Sequence, residues 1–370
     1  MKRLAKKFKG VTTLFTVVAV MALASGEVRA AVFTAGDLAV FKTGATNGVG
    51  NARPIYIDEY TTSGTLVQTI DTGMVYFQGS SLNVGGLSLS SDGRYLSVTG
   101  IDAPLNATSG AGYNRIVERI DMNGNIDKST ILPSSFGDAG MAASLDGSGF
   151  FVTSGLSNQY SLNYVAYGSN GAYTQLIPNQ SLAIGGVDIL NNQLYMDARL
   201  TTGTASTSGV VQVGTGLPTT GGQALTTFLS VAKTNTFDIF MADPVTIYLS
   251  AQGLSKFIYS NGQWQLAYSS PGTTNYKYIA GSVDDGVATM YTLVGQNLVR
   301  VNDILANTNS ASAFTATTIV TNVVPSGVGQ QLMGLDYVPT AAPVPIPAAL
   351  PLFGSGLAFL GFLRKKLFRA

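Results

Sequence analysis

The segment GLSLSSDGRYLSV, residues 86–98, is the stretch of sequence that decides the fold. Small and apolar residues alternate up to Asp92-Gly93, and a second alternating run begins at Tyr95. Alternation of this kind is typical of β-strands. Asp-Gly is typical of a tight hairpin turn, because both residues accept the positive φ that such turns need. The segment therefore predicts two antiparallel strands joined by a short turn.

Similar units recur along the chain at residues 140–153, 186–197, 237–249 and 279–292, and a last, partial copy lies at residues 334–338. Their turn residues are Asp92, Asp146, Asn192, Asp243 and Asp285, which are spaced by 54, 46, 51 and 42 residues. A mean period of about 48 residues matches one four-stranded blade of a β-propeller. Small residues in the first strand of each unit suit inner strands that crowd a central channel. The sequence predicts an all-β propeller with six blades, with seven blades and an array of two-sheet sandwiches left as alternatives.

Both ends of this repeat are incomplete. The copy at residues 334–338 has no outer strands after it, whereas three strand-like runs, at residues 38–41, 55–60 and 66–70, precede the first copy. We expect these segments to share one blade, which would pair the two ends of the domain and protect exposed strand edges. Asn-Gly pairs at residues 123–124, 170–171 and 261–262 predict a second, outer set of hairpin turns.

Composition excludes several kinds of chemistry. The 370 residues include no His and no Cys, so neither a Ser-His-Asp or Cys-His nucleophile nor a disulfide or thiolate metal site can form. Residues 31–339 carry 11 basic and 19 acidic groups, and a body of that sign has no electrostatic footprint for nucleic acid. We expect no cofactor.

The N-terminus is typical of a secretory signal peptide. Basic residues precede an apolar run at residues 11–24, and the small residue Ala30 stands before Ala31 where a signal peptidase would cut. Residues 1–30 are therefore predicted to be removed, and a permanent N-terminal anchor is the alternative. Residues 31–339 would form the propeller-like domain, and residues 340–370 a separate tail.

The tail has three parts in a fixed order. A Pro-rich neck precedes an apolar segment at residues 348–363, and a basic cluster follows it. Sixteen residues of helix would reach about 24 Å, slightly short of a hydrocarbon core of about 30 Å. The basic cluster would stay on the cytoplasmic side. This predicts a marginal transmembrane helix that serves as a temporary anchor.

This tail resembles the PEP-CTERM sorting signal. The residues that carry the resemblance are Val344, Pro345, Pro347, Ala348, Gly354, Ser355, Gly356, Leu357, Arg364, Lys365 and Lys366. Ile346 stands where the name of the family has Glu. The resemblance implies recognition by the membrane protease exosortase in Gram-negative bacteria that make exopolysaccharide. A plain C-terminal membrane anchor is the alternative.

The body offers few candidates for catalysis. Asp58-Glu59 and Asp284-Asp285 are adjacent acids, but neighbours on a strand point to opposite faces, and Asp285 belongs to a turn. Asp121, Asn123, Asn125 and Asp127 have the spacing of half a calcium loop, yet the Glu that would complete it is absent, so a hairpin explains them equally. Trp264 is expected to pack between blades, with sugar stacking as the alternative.

Three polar loops, at residues 78–85, 103–114 and 201–209, are the predicted ligand-binding rim. Together these features predict no enzymatic activity, and instead an exported, exosortase-processed surface or matrix protein that binds exopolysaccharide or surface proteins in a biofilm. Signal peptidase and exosortase would be its processing partners, and the inner membrane a transient one. The alternative is a secreted carbohydrate- or ester-processing enzyme that uses Asp and Tyr alone.

Overall fold

A computed structural model of the chain describes residues 32–45, 51–77, 85–105, 107–156, 159–180, 184–202, 205–231, 236–270, 274–309, 314–324 and 330–340. These residues form an all-β fold in which the one helical segment is a short 3-10 turn, Ser134–Phe136. No helix within the described ranges is long and apolar enough to cross a membrane.

The first twelve strands are β1 (Leu38–Thr43), β2 (Arg53–Tyr60), β3 (Leu66–Tyr76), β4 (Leu87–Leu89), β5 (Tyr95–Ile101), β6 (Arg115–Asp121), β7 (Ile126–Leu132), β8 (Asp138–Ala143), β9 (Gly149–Leu156), β10 (Gln159–Ala166), β11 (Thr174–Gln180) and β12 (Ile184–Leu190). The others are β13 (Gln193–Thr202), β14 (Ala205–Val213), β15 (Leu225–Val231), β16 (Thr236–Asp243), β17 (Thr246–Ala251), β18 (Gly253–Ser260), β19 (Gln263–Ser269), β20 (Tyr276–Asp284), β21 (Val287–Val294), β22 (Asn297–Ile304), β23 (Thr315–Val320) and β24 (Leu332–Tyr337).

Four sheets are simple antiparallel meanders of four consecutive strands: β8–β11, β12–β15, β16–β19 and β20–β23. The fifth sheet has eight strands in the order β24-β1-β2-β3-β5-β6-β7, with β4 beside β5. A single residue pair, Val75 with Ile101, links β3 to β5, so this sheet consists of two groups of four strands. The architecture is that of a β-propeller-like protein.

The first strand of each group is one of the predicted inner strands. These strands are β4, β8, β12, β16, β20 and β24, and they contact one another in that order, with β24 returning to β4. β24 pairs antiparallel with β1, placing Leu38 opposite Tyr337, which is the pairing expected for the two ends of the domain. The turns after the first five are those predicted from sequence. Asn191, Asn192 and Asp285 in these turns adopt positive φ.

Apolar side chains fill the space between neighbouring sheets. Val210 and Leu229 of one sheet, for example, cluster with Ile247 and Phe257 of the next, and all four are at most 3% exposed. Burial of this kind contributes about 25 cal/mol per Å² of apolar surface removed from water. The sheets are therefore held face to face, and their inner strands are brought together around a common centre.

Candidate functional site

The inner strands surround a partly open cavity of about 320 Å³. All six of them contribute to its wall, which has polar and apolar parts of similar area and includes Leu87, Met141 and Ile239. Its polar side chains are Ser88, Ser90, Ser91, Ser144, Asp188, Asp238, Asp336 and Tyr337. No Lys or Arg belongs to the lining, so the cavity is acidic.

Glycine at the start of an inner strand allows the strands to approach closely enough to form this wall. A Cβ placed on Gly86 would lie 2.6 Å from Cγ of Met141, and one on Gly334 would lie 2.7 Å from Cβ of Leu87. Both distances are shorter than van der Waals contact. The small residues of the repeat thus set the width of the cavity.

The serine hydroxyls are largely engaged within the protein. Ser90 accepts hydrogen bonds from the backbone N–H groups of Arg94 and Tyr95, and Ser144 Oγ donates to the carbonyl of Gly149. These two residues secure hairpin turns. Ser91 Oγ donates to the carbonyl of Ile189 at 3.3 Å, a contact that joins the turn after β4 to β12.

Two of the cavity aspartates link neighbouring inner strands. Asp336 Oδ2 on β24 accepts a hydrogen bond from the N–H of Leu89 on β4 at 2.6 Å. Asp238 Oδ2 on β16 accepts one from the N–H of Ile279 on β20 at 2.9 Å. Each carboxyl group also accepts from the next N–H of its own strand. The carboxyl groups of Asp238 and Asp336 therefore have a structural role, which is to link neighbouring inner strands.

Asp188 on β12 also lines the cavity, but its environment differs. No hydrogen-bond donor of the described residues reaches its buried Oδ2. The carboxyl group of Asp238 lies close enough to share a hydrogen bond with it, which requires a proton on one of the two. Asp188 is therefore not engaged by the backbone of the next inner strand, and its Oδ2 is available to another hydrogen-bond donor.

Asp197 on β13 stands beside this pair. It is 0% exposed, and within the described structure neither of its oxygens has a hydrogen-bond donor. Asp188 lies opposite Tyr195 in the β12–β13 register, so Asp188, Tyr195 and Asp197 share one face of the sheet. Buried polar groups without partners are rare in folded proteins, and they call for a functional or a protonation-based explanation.

Burial and mutual repulsion set the protonation of this cluster. Desolvation raises the pKa of Asp188, and the negative charge of Asp197 raises it further. Desolvation likewise raises the pKa values of Asp197 and Asp238 well above the ordinary range. The pKa of Asp336 is raised to about 6 by burial, although its two backbone hydrogen bonds oppose the shift. Strongly shifted carboxyl groups in a concavity are a recognised signature of functional sites.

This cluster of carboxyl groups can bind a small ligand, and it can exchange protons. Its carboxyl oxygens can accept hydrogen bonds from hydroxyl or ammonium groups, and its apolar wall can cover the carbon face of a small ligand. No three acidic side chains of the described chain converge closely enough to hold a metal ion.

The adjacent acids noted in the sequence behave as expected for neighbours on a strand. Asp58 accepts from Lys42 Nζ at 2.5 Å and from Thr69 Oγ1 at 2.6 Å. Glu59 turns the other way and accepts from the backbone N–H of Thr34 at 2.5 Å. Asp285 lies in the turn between β20 and β21 with φ of 46°. Neither pair lines the cavity.

The half-calcium loop is a hairpin turn. Asp121 Oδ1 accepts hydrogen bonds from the N–H groups of Asn123 and Asn125, both at 2.9 Å. Asp127 turns instead to Ser129 and Tyr167. The two carboxylates are thus engaged with different groups rather than gathered around a common centre.

Trp264 packs between sheets, as predicted. Its ring lies 5.8 Å from that of Phe228 on β15 and 5.3 Å from that of Tyr259 on β18. It adds to the apolar cluster that joins the sheet β12–β15 to the sheet β16–β19.

The predicted ligand-binding rim needs correction. Residues 201–202 and 205–209 belong to strands and not to a loop, because β13 continues to Thr202 and β14 begins at Ala205, with Thr202 paired to Ala205. Residues 103–114 do form a loop between β5 and β6, but no residue of that loop lines the cavity. Residues 78–84 lie outside the described part of the chain.

The signal-cleavage residues Ala30 and Ala31 and the whole sorting signal, Val344 to Lys366, also lie outside the described residues. The sequence analysis did not single out Asp188, Asp238 and Asp336 as a site. Each of the three stands near the start of a repeat unit, in GVD, FD and GLD, but one acid among alternating residues gave no local sign of a site.

Comparison with known proteins was made for sequence and for structure. No protein-family model matches the chain, and no curated protein matches it. Among solved structures, a putative 6-phosphogluconolactonase from Bacteroides uniformis is 13% identical, with a TM-score of 0.43 over 76% of this chain and 82% of that one. A β-propeller domain from Myceliophteria thermophila is 15% identical, with a TM-score of 0.39 over 66% and 79%. A hypothetical selenium-binding protein from Sulfolobus tokodaii is 8% identical, with a TM-score of 0.42 over 82% and 93%.

Proposed function

We propose that this chain is an exported, exosortase-processed protein of the cell surface or extracellular matrix that acts as a non-catalytic binding scaffold. The order of signal peptide, acidic β-domain, Pro-rich neck, apolar segment and basic end supports export and processing. The resemblance of the tail to a PEP-CTERM signal supports a link to exopolysaccharide or biofilm.

We further propose that the six groups of four strands are the blades of one closed ring. Support comes from the pairing of β24 with β1 and from the cyclic order of contacts between the inner strands. Deleting residues 334–338 would remove one inner strand together with the backbone hydrogen bonds it makes to β1. We expect that variant to lose cooperative thermal unfolding. A single sharp transition near the wild-type Tm would overturn the ring.

The central cavity is the proposed ligand site, and the observation that carries this proposal is its set of carboxyl groups within a wall that combines polar and apolar side chains. Carboxyl oxygens accept hydrogen bonds from hydroxyl groups, while Leu87, Met141 and Ile239 can cover the C–H face of a sugar ring. A cavity of about 320 Å³ is near the lower end of the range of small-molecule sites, and it suits one ring or the end of a chain better than a long polymer.

A glycan-binding screen with the exported protein tests this function. We expect hydroxyl-rich glycans of the producing cell to bind, and the chemically conservative Asp188→Asn change to alter that binding. The matched control is Asp284→Asn, which removes the same charge from an exposed residue outside the cavity. Absence of binding to every glycan of the host would contradict the proposal.

One observation favours the alternative of a carbohydrate- or ester-processing enzyme. A hydrogen bond shared between Asp188 and Asp238 makes one carboxyl group an acid while the other can serve as a base. Incubating the exported protein with host polysaccharide and host esters separates the two functions. Product formation abolished by Asp188→Asn but retained by Asp284→Asn would identify an enzyme, whereas binding without turnover supports the scaffold.

A further inference from the structure

We propose that the cavity selects ligands that carry a positively charged amino group, which Asp188 would bind with Asp197 beside it. The inference rests on the proposed function, and it specifies the ligand class as an amine-bearing sugar rather than a neutral one. Its basis is the difference between Asp188 and the other two aspartates that line the cavity.

Asp238 and Asp336 have a structural explanation that Asp188 lacks. Each of the two accepts an N–H from the next inner strand, Ile279 and Leu89 respectively. On β12 this link is missing, because the N–H of Ile239 bonds to Asp238 of its own strand. Asp188 lines the cavity nevertheless, and its buried Oδ2 has no donor among the described residues.

Asp197 is the second, independent observation. Its side chain is fully buried and lies on the same sheet face as Asp188, within electrostatic reach of both Asp188 and Asp238. A carboxyl group buried without a partner carries a large desolvation cost unless it is protonated or compensated by a cation. Packing of the sheets does not explain why two such carboxyl groups lie side by side.

An ammonium group supplies what the cluster lacks. It brings one positive charge and three donors, whereas the cavity lining contributes neither Lys nor Arg. The carbon face and hydroxyls of an amino sugar would meet the apolar wall and the hydroxyls of Ser88 and Ser91.

Binding of such a ligand should release protons. The groups that face Asp188 are Asp197 on β13, Asp238 on β16 and Asp336 on β24, with Tyr278 of β20 close to Asp238. All three of these carboxyl groups hold protons above the ordinary pKa of aspartate. A cation at Asp188 favours the ionised forms, so the affinity should rise with pH as the cluster ionises, until the pH at which the ammonium group of the ligand itself loses its proton.

Isothermal titration of the full exported protein with glucosamine, N-acetylglucosamine and glucose tests the inference, because the three sugars differ at one carbon. We expect glucosamine to bind at least about tenfold more tightly than the other two at pH 7. Titration in two buffers of different ionisation enthalpy should show net proton release for glucosamine alone. The proton count uses the unaltered protein, so it stands even if a variant fails to fold.

Two variants and one ion complete the test. Asp188→Asn should reduce the affinity for glucosamine to that for glucose, whereas Asp284→Asn should leave it unchanged. Equal binding of all three sugars would overturn the selectivity for an amine while leaving the proposed glycan-binding function intact. Binding of none of them at the cavity would overturn the inference, and the screen with host glycans would then decide the proposed function. Micromolar binding of Ca²⁺ alone, abolished by Asp188→Asn, would assign the carboxyl groups to a metal and overturn the inference.

Discussion

Gly334 lies where β24 packs closely against β4. A Cβ there would lie 2.7 Å from Cβ and 2.8 Å from the backbone nitrogen of Leu87, and a backbone atom cannot move aside as the end of a side chain can. We expect Gly334→Ala to destabilise the protein by about 1–3 kcal/mol, the usual range for overpacking. Thermal or denaturant unfolding measures this loss.

The control is Gly112→Ala. Gly112 has φ of +83° and no atom within 4 Å of an added Cβ, so alanine there introduces backbone strain without a steric clash. Gly334 has no positive φ, so a loss of Tm in Gly334→Ala would come from the close approach to β4, whereas a loss in Gly112→Ala would come from backbone strain alone. An unchanged Tm in Gly334→Ala would show that close approach to β4 does not require glycine.

Glu118 on β6 provides a prediction about pH. It is 0% exposed, neither oxygen accepts a hydrogen bond within the described structure, and Lys128 Nζ lies 3.7 Å away. Desolvation raises its pKa from 4.5 to about 8, with Lys128 opposing the shift. The folded state therefore retains a proton that the unfolded chain releases above pH 4.5, and the stability that this proton provides is lost as the pH rises through 8.

Glu118→Gln should remove that dependence. One unit of pKa shift corresponds to about 1.4 kcal/mol, so the wild type should lose a few kcal/mol more than the variant between pH 5 and pH 9. Denaturant unfolding of both proteins at the two pH values gives the difference, in which contributions from the other buried carboxyl groups cancel. The same pH slope in both proteins would contradict a raised pKa for Glu118.

At the scale of elements, the junction between the sheets β16–β19 and β20–β23 depends on a buried ion pair. Lys256 Nζ on β18 donates to Asp303 Oδ2 on β22 at 2.8 Å and to the carbonyls of Ile304, Leu305 and Asn307. Tyr248 and Tyr268 donate their hydroxyls to the same carboxylate. Lys256 and Asp303 are 0% and 4% exposed.

Removing one partner of a buried ion pair usually costs about 3–5 kcal/mol, because the remaining charge stays buried. We expect Lys256→Met to cause a loss of that size in the free energy of unfolding. The double variant Lys256→Met/Asp303→Asn should lose clearly less than the sum of the two single changes, because no uncompensated charge remains. Additive losses would mean that the two groups do not act as a pair.

The elements themselves were largely predictable from sequence, for a local reason. Turn residues such as Asp92, Asn192 and Asp285 specify hairpins through their own backbone preferences, and the strands between them alternate by face. The extent of β13 and β14 was not predictable in this way. The Ser- and Thr-rich residues 201–209 have the composition of a loop, and they form strands because they pair with each other across a long hairpin.

The candidate site was not predicted, because it exists only in the assembled fold. Asp188 and Asp238 are 50 positions apart, and nothing local distinguishes them from turn aspartates such as Asp146. What makes them unusual is burial against each other and against Asp197, and burial depends on how the sheets are arranged.

At the scale of the whole molecule, charge separates the body of the protein from its ends. Residues 1–30 and the last seven residues carry ten of the 21 basic groups, whereas residues 31–339 carry 19 of the 20 acids. Cutting at both ends would leave a product in which acids exceed bases by eight. Such a net charge favours solubility outside the cell, and it agrees in sign with a cavity proposed to attract amines.

The final prediction concerns the cut at the C-terminal end. The apolar segment at residues 348–363 is short for a permanent span and is interrupted by Pro351 and three glycines, while the prolines before it keep the neck extended and open to a protease. We expect exosortase to cut within residues 344–347, after residues 364–369 have been held on the cytoplasmic side.

Mass spectrometry of the exported protein measures both ends directly. The expected species begins at Ala31 and lacks every peptide after residue 347. Pro345→Ala/Pro347→Ala should leave the tail attached and keep the protein in the membrane fraction, whereas the control Ala341→Ser, upstream of the neck, should be processed normally. A released wild-type protein that still ends in residues 367–370 would exclude cleavage at the neck. A membrane-bound protein with an intact tail would identify a plain anchor, because retention needs the apolar segment to remain attached.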